Sequence, residues 1–165
     1  MTVTAIRKDV DALTLTIAAE YDAPPVRVWE LWADPRQLER WWGPPTYPAT
    51  VVAHDLAVGG SVSYYMTGPE GDRLWGWWRV TSNDAPTELL FEDWFADDTG
   101  APDPGMPFTM TRVSLERTAS GGTRMVIEST FASTEAMERL VEMGMEEGIR
   151  AAVGQIDAII ASPRS

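Results

Sequence analysis

The sequence predicts an α+β fold. A seven-stranded antiparallel sheet curves around one long C-terminal helix, and two short helices lie between the first and second strands. Three observations predict it. From residue 49 to 131, β-patterned segments alternate with short turn-like breaks, as in an antiparallel meander. Residues 133–161 change to apolar spacings of three and four, the mark of an amphipathic helix. Between residues 24 and 42, two proline-opened segments interrupt the β pattern.

The elements follow in order. Residues 13–21 place Leu13, Leu15, Ile17, Ala19 and Tyr21 at alternate positions, a half-buried strand. Pro24-Pro25 opens a helix whose apolar face is Val28, Trp29, Leu31 and Trp32. Asp34 caps a second, short helix, with Pro35 at its first position and Gln37 three residues after the cap. That helix ends in Trp41 and Trp42 and stops at Gly43-Pro44-Pro45. Strands are predicted at 49–54, 61–67, 73–81, 88–95, 107–117 and 123–131. The breaks are Gly59-Gly60, residues 68–72, residues 83–86 and Gly121-Gly122. Residues 96–105 are longer, acidic and proline-rich, and are the predicted mobile loop. Ser133 or Thr134 caps the closing helix, with Glu135 and Glu138 in its first turns. Its stripe is Met137, Val141, Met145, Ile149, Ala152, Ile156 and Ile159. Gly144, Gly148 and Gly154 each weaken it by about 1 kcal/mol relative to alanine. Gly144 and Gly148 share a face, which allows a close approach to a strand or leaves room beside the helix. Pro163 follows the end. With no repeat and no linker, residues 1–165 read as a single domain.

Composition narrows the function. Apolar residues form 44% of the 165, enough for a real core. No apolar run approaches the roughly 20 residues of a membrane span. The first eleven residues show no apolar signal region, and there is no cysteine. Disulfides, thiolate catalysis and cysteine-held metals are excluded, and the expected compartment is the cytoplasm. A net charge of −12 repels phosphate backbones and anionic lipid, so neither nucleic acid nor membrane is an expected partner.

Five stretches carry a resemblance. They are A-P-P-V-R-V-W-E-L-W-A-D-P-R-Q-L-E-R-W-W-G-P (23–44), H-D-L-A-V-G-G-S-V-S-Y-Y-M (54–66), P-E-G-D-R-L-W-G-W-W-R-V (69–80), G-T-R-M-V-I-E (122–128) and the closing helix. Together they resemble the SRPBCC superfamily of START-related and birch-pollen-allergen-like proteins. Within it they look like the branch related to the activator of the heat-shock-protein ATPase. The resemblance runs from about residue 14 to 161 and implies a helix-grip fold. It implies less about function, since only some members of the branch resemble in role the co-chaperone it is named for. In that branch the closing helix carries Gly-Trp, where this chain has Gly148-Ile149. The lost indole either enlarges the cavity or is repacked.

The chemistry is sparse. His54 is the only histidine, and Asp55 beside it points to the other face of a strand, so no metal site is expected. His54 reads as a strand-end residue in solvent or with one hydrogen bond. Of Glu92 and Asp93, one must face the helix. If buried, that carboxyl has a raised pKa and can act as acid or base, unless Arg79 or Arg112 pairs with it. Trp75 and Trp77 share one face, and an exposed pair there calls for a loop cover or a homodimer. Met66, Met106, Met110, Met137, Met143 and Met145 offer a pliable lining. The predicted cavity between closing helix and sheet is lined by Trp42, Tyr64, Met66, Trp78, Phe91, Phe108, Met145 and Ile149, with Asp93 as its polar contact. These residues suit binding of a small apolar or aromatic molecule, with no cofactor and no metal. Two alternatives stand beside it. One is a cofactor-free cyclase or hydrolase using a buried carboxylate. The other, implied by the resemblance, is a co-chaperone-like interaction module.

Overall fold

In the computed structural model, which describes residues 2–161, the elements run β1 (Thr2–Asp9), β2 (Thr14–Tyr21), α1 (Pro25–Ala33), α2 (Pro35–Leu38), β3 (Ala49–His54), β4 (Ser61–Thr67), β5 (Arg73–Asp84), β6 (Glu88–Ala96), β7 (Thr109–Arg117), β8 (Thr123–Phe131), α3 (Thr134–Glu142), α4 (Met145–Val153) and α5 (Ile156–Ala161). The strands form one antiparallel sheet in the order β1-β2-β8-β7-β6-β5-β4-β3. β3 to β8 are a meander. α1 and α2 carry the chain from β2 to the far edge at β3.

The sheet has eight strands, one more than predicted. The addition is β1. Its register slips between Val3 and Ala5, so Val3 and Ile6 reach the core three residues apart. An edge strand with that bulge and with exposed Arg7 and Lys8 shows no period of two to read. β5 also runs to Asp84, past a slip between Val80 and Ser82.

Alternation turns one face of every inner strand inward. β2 buries Leu15, Ile17, Ala19 and Tyr21; β8 buries Thr123, Met125, Ile127, Ser129 and Phe131. The closing helix covers this face in three pieces rather than one. Gly144 sits at φ 89°, a left-handed conformation that glycine adopts freely, and it ends α3 and starts α4. Gly154 separates α4 from α5. A Cβ at Gly148 would meet nothing within 4 Å, so this glycine leaves room instead of allowing close approach.

Hydrogen bonds tie the helical segments to one another and the entry to α1 to the sheet. Gln155 Nε2 donates to the carbonyls of Trp41 (3.3 Å) and Gly43 (2.7 Å). The buried Thr123 Oγ1 donates to the Ala23 carbonyl at 2.7 Å. Trp41 Nε1 donates to the Leu31 carbonyl at 3.0 Å. Trp32, Trp41 and Trp78 are wholly buried. At about 150–250 Å² and ~25 cal/mol per Å², each contributes a gross transfer term of about 4–6 kcal/mol.

The acidic segment predicted as a mobile loop is a tied turn. Asp97 N–H donates to the Ala101 carbonyl and Asp103 N–H to the Phe95 carbonyl, both at 2.8 Å. The Asp97 carboxylate accepts from the Thr99 and Ala101 amides. Gly100 is thereby brought beside the Trp75 ring, so a loop covers part of the outer aromatic face.

Candidate functional site

On β6 the inward residues are Leu89, Phe91, Asp93 and Phe95. Asp93 lies opposite Trp78 of β5, and Gly76 of β5 lies opposite Tyr64 of β4. The missing side chain at Gly76 is needed there. A Cβ would collide with Cζ and Oη of Tyr64, whose ring lies across β5 and brings its hydroxyl to Asp93.

Aromatic rings enclose this pair. Trp42, delivered by the turn after α2, meets Trp78 edge-on with centroids 4.9 Å apart and Tyr64 at 6.2 Å. Trp78 stacks on Phe91 at 4.0 Å and 19°. Trp32 meets Trp41 at 4.7 Å and Trp42 at 5.7 Å. Such edge-to-face contacts each contribute about 0.5–1.5 kcal/mol beyond area.

The polar groups inside are few and strained for partners. Burial pushes the Asp93 carboxyl up to about 7, against a smaller opposing effect of the Tyr64 hydroxyl. Asp93 as a residue keeps some exposure, while its carboxyl is enclosed. Burial also raises the Tyr64 phenol, and the nearby Asp93 charge adds to it. The indole N–H groups of Trp42 and Trp78 come near the Tyr64 hydroxyl and favour its ionised form, yet neither reaches hydrogen-bond geometry. Trp32 Nε1, Trp42 Nε1, Trp78 Nε1 and Thr111 Oγ1 are buried without a partner. Native interiors leave few such groups.

A buried polar belt continues across the concave face. Thr109 pairs in register with Asp93, Thr111 with Phe91, and Ser129 with Thr111. All three are buried. The belt lies between two apolar clusters. The larger contains Trp32, Trp78, Phe91 and Ile156; the smaller contains Leu15, Phe131, Met137 and Leu140. Where α4 passes over β2 and β8, a cavity of about 10 Å³ remains, lined in part by Leu15, Ile17, Ser129, Glu146 and Ile149. It is just large enough for one water molecule. A surface groove of about 310 Å³ runs between the end of β1 and α3, past Lys8, Val10, Met137 and Val141.

Trp42, Tyr64, Trp78, Phe91 and Asp93, read from the sequence as site residues, are brought together. Met66 packs half-buried against the larger cluster, Met145 against the smaller, and Ile149 against both. Phe108 lies elsewhere. It stacks on Trp94 at 4.3 Å and 8°, and Trp94 is on the face opposite Asp93. β7 begins at Thr109, not at residue 107, and buried Thr109 sets the inward parity that turns Phe108 out. The methionine lining is also smaller than expected. Met110 and Met143 are exposed, and Met106 accepts from Arg139.

Glu92 and Arg112 separate from Asp93. Glu92 faces outward to Arg79 at 3.3 Å and accepts from Trp94 Nε1 at 2.9 Å. Arg112 pairs with Glu88 at 3.6 Å. His54 Nε2 donates to the Trp32 carbonyl at 2.9 Å. Among the described residues no group of three or more His, Cys, Asp or Glu side chains is placed to hold a metal, and no helix is long and apolar enough to cross a membrane. Sequence reasoning missed the roles of Trp32, Gly76, Thr111, Ser129 and Glu146. A glycine inside a strand of tryptophans was the one available signal.

Comparison with known proteins agrees with this architecture. A solution structure of a protein from Arthrobacter aurescens superposes with a TM-score of 0.93 at 52% identity, covering 99% of this chain and 95% of that one. Protein Ms6760 from Mycobacterium smegmatis superposes at 0.90 with 44% identity, covering 99% and 100%. A Rhodobacter sphaeroides protein, 23% identical, shares the fold at 0.80 over 95% and 97%. Comparison with curated proteins returned no match. Residues 22–161 match the family model described as activator of Hsp90 ATPase homolog 1-like protein. The chain belongs to that family, a branch of the SRPBCC helix-grip proteins.

Proposed function

We propose that this protein binds a small hydrophobic or aromatic molecule between α4 and the concave face of the sheet. One observation carries the reading: Asp93 and Tyr64 form a buried polar centre at the margin of the larger apolar cluster, walled by Trp42, Trp78 and Phe91. Small-molecule sites have this make-up, apolar walls with a few convergent polar groups. Buried polar groups in this number cost stability unless they serve something. α4 is the element that yields. It is short, it is bounded by Gly144 and Gly154, and Gly148 faces open space. Its shift away from β2 and β8 enlarges the existing cavity beside Ile149 into a ligand space. We place the protein in the cytoplasm on its lack of cysteine.

A native mass spectrum of protein freshly purified from its source cells tests the reading. The expected result is a retained small molecule that is lost on unfolding. A bare chain, together with intrinsic tryptophan fluorescence that ignores a panel of aromatic probes, contradicts it.

A second reading has its own observation. A carboxyl pushed up to about 7 suits acid–base work near neutral pH, as a cofactor-free cyclase or hydrolase requires. Consumption of the retained molecule that disappears in Asp93→Asn selects this reading over plain binding.

A further inference from the structure

The charge inside the proposed site has one sign. Among the residues that form it, the ionisable carboxyls are Asp93 on β6 and Glu146 on α4. The half-buried arginine of α1, Arg27, is taken up by Gln37 Oε1 at 2.7 Å and Glu30 at 3.7 Å. A carboxylate or phosphate ligand would therefore meet carboxyl groups with no cation to offset them.

The other walls suit a cation. The rings of Trp42, Trp78, Phe91 and Tyr64 crowd around the Asp93 side of the cluster. Aromatic faces attract ammonium groups, most strongly where water is excluded. The indole N–H groups of Trp42 and Trp78 lean to the Tyr64 oxygen, and the Tyr64 hydroxyl leans to Asp93. The Tyr64 hydroxyl alone favours a carboxylate at Asp93, since neither indole N–H reaches hydrogen-bond geometry, and the other lone pairs of that carboxylate are left for a ligand. The whole chain carries −12, which raises the local concentration of cations at its surface.

We infer that the ligand is an aromatic or aliphatic amine, bound as its ammonium ion with the charge on Asp93 and the apolar body between α4 and the sheet. The inference rests on the binding reading above and names the ligand class. On binding, the ammonium N–H groups donate to the Asp93 carboxylate, and Tyr64 Oη–H donates to it from the other side. No covalent bond changes.

Three probes of one skeleton separate the possibilities: 2-phenylethylamine, 2-phenylethanol and phenylacetate, titrated by calorimetry at about pH 8, where Asp93 is ionised before any ligand arrives. The amine is expected to bind roughly tenfold or more tightly than the alcohol, and phenylacetate more weakly than both. In Asp93→Asn the amine falls to the level of the alcohol, whose own affinity changes less than about threefold. Glu146→Gln, on α4 and away from the ring cluster, costs the amine less than Asp93→Asn. The wild type at high salt supplies a control that needs no variant. A buried pair is screened little, so the amine-to-alcohol ratio keeps to within about twofold between roughly 0.02 and 0.5 M salt. Phenylacetate binding best, a ratio that collapses to one in salt, or an amine preference that survives Asp93→Asn each overturns the amine inference and leaves the binding reading standing. If none of the three probes binds, both fall.

Discussion

Replacing Asp93 by asparagine should stabilise the protein, and by an amount that grows with pH. A free aspartate ionises near 3.8, and burial pushes Asp93 up to about 7. Between those values the folded state binds the extra proton. Stability therefore falls as pH rises from about 4 through 7 and is level above that. At about 1.4 kcal/mol for each pH unit, the upper bound on the loss is about 4 kcal/mol. Asp93 keeps some exposure, so about 2–4 kcal/mol is the expected range. Asparagine has the same shape and no ionisation, so it escapes this loss. Urea denaturation of both proteins should show a gap that widens by about 1–3 kcal/mol between roughly pH 5 and pH 8. A gap that stays constant within about 0.5 kcal/mol, or narrows as pH rises, would refute the buried-carboxyl reasoning.

Three further outcomes follow from the packing. Gly76→Ala places a methyl against the Tyr64 ring and should cost about 1–3 kcal/mol in urea denaturation, with a changed tyrosine environment in near-ultraviolet circular dichroism. Gly144→Ala forces a side chain into the left-handed region at φ 89° and should cost about 1–2 kcal/mol, measured as a lower Tm. Thr123→Val removes the buried hydroxyl that donates to the Ala23 carbonyl and should cost about 1–3 kcal/mol. An equal Tm for any of these variants contradicts the contact named.

The order of elements was legible because turn chemistry and side-chain period agree along most of the chain. Leu15, Ile17, Ala19 and Tyr21 alternate cleanly, and β2 is where they predict. β1 was illegible because a bulge breaks its period and charged residues share it. The closing helix shows a continuous apolar stripe, yet glycine at 144 turns left-handed and splits it. Periodicity records which face is buried and not whether the axis is continuous. At the site, alternation placed Asp93 and Phe91 on one face and Glu92 on the other, leaving open which was inward. The sheet settled that, because Trp78 and Tyr64 converge there from neighbouring strands. Phe108 was misplaced because the strand starts only at Thr109 and its inward parity runs through Thr109, Thr111 and Val113, which turns the even positions out. The tied turn at residues 97–105 looked mobile because its carboxylates read as solvated, whereas Asp97 uses its oxygens to hold the turn's own amides.

The central claim, a ligand space beneath α4, is tested most directly by following the indole N–H signals of isotope-labelled protein during titration with 2-phenylethylamine. The account predicts shifts at Trp42, Trp78 and Trp32, with the α4 amides moving beside them. Trp75, Trp77 and Trp94 on the outer face should stay still. Shifts confined to those outer tryptophans, or none at saturating probe, would contradict it.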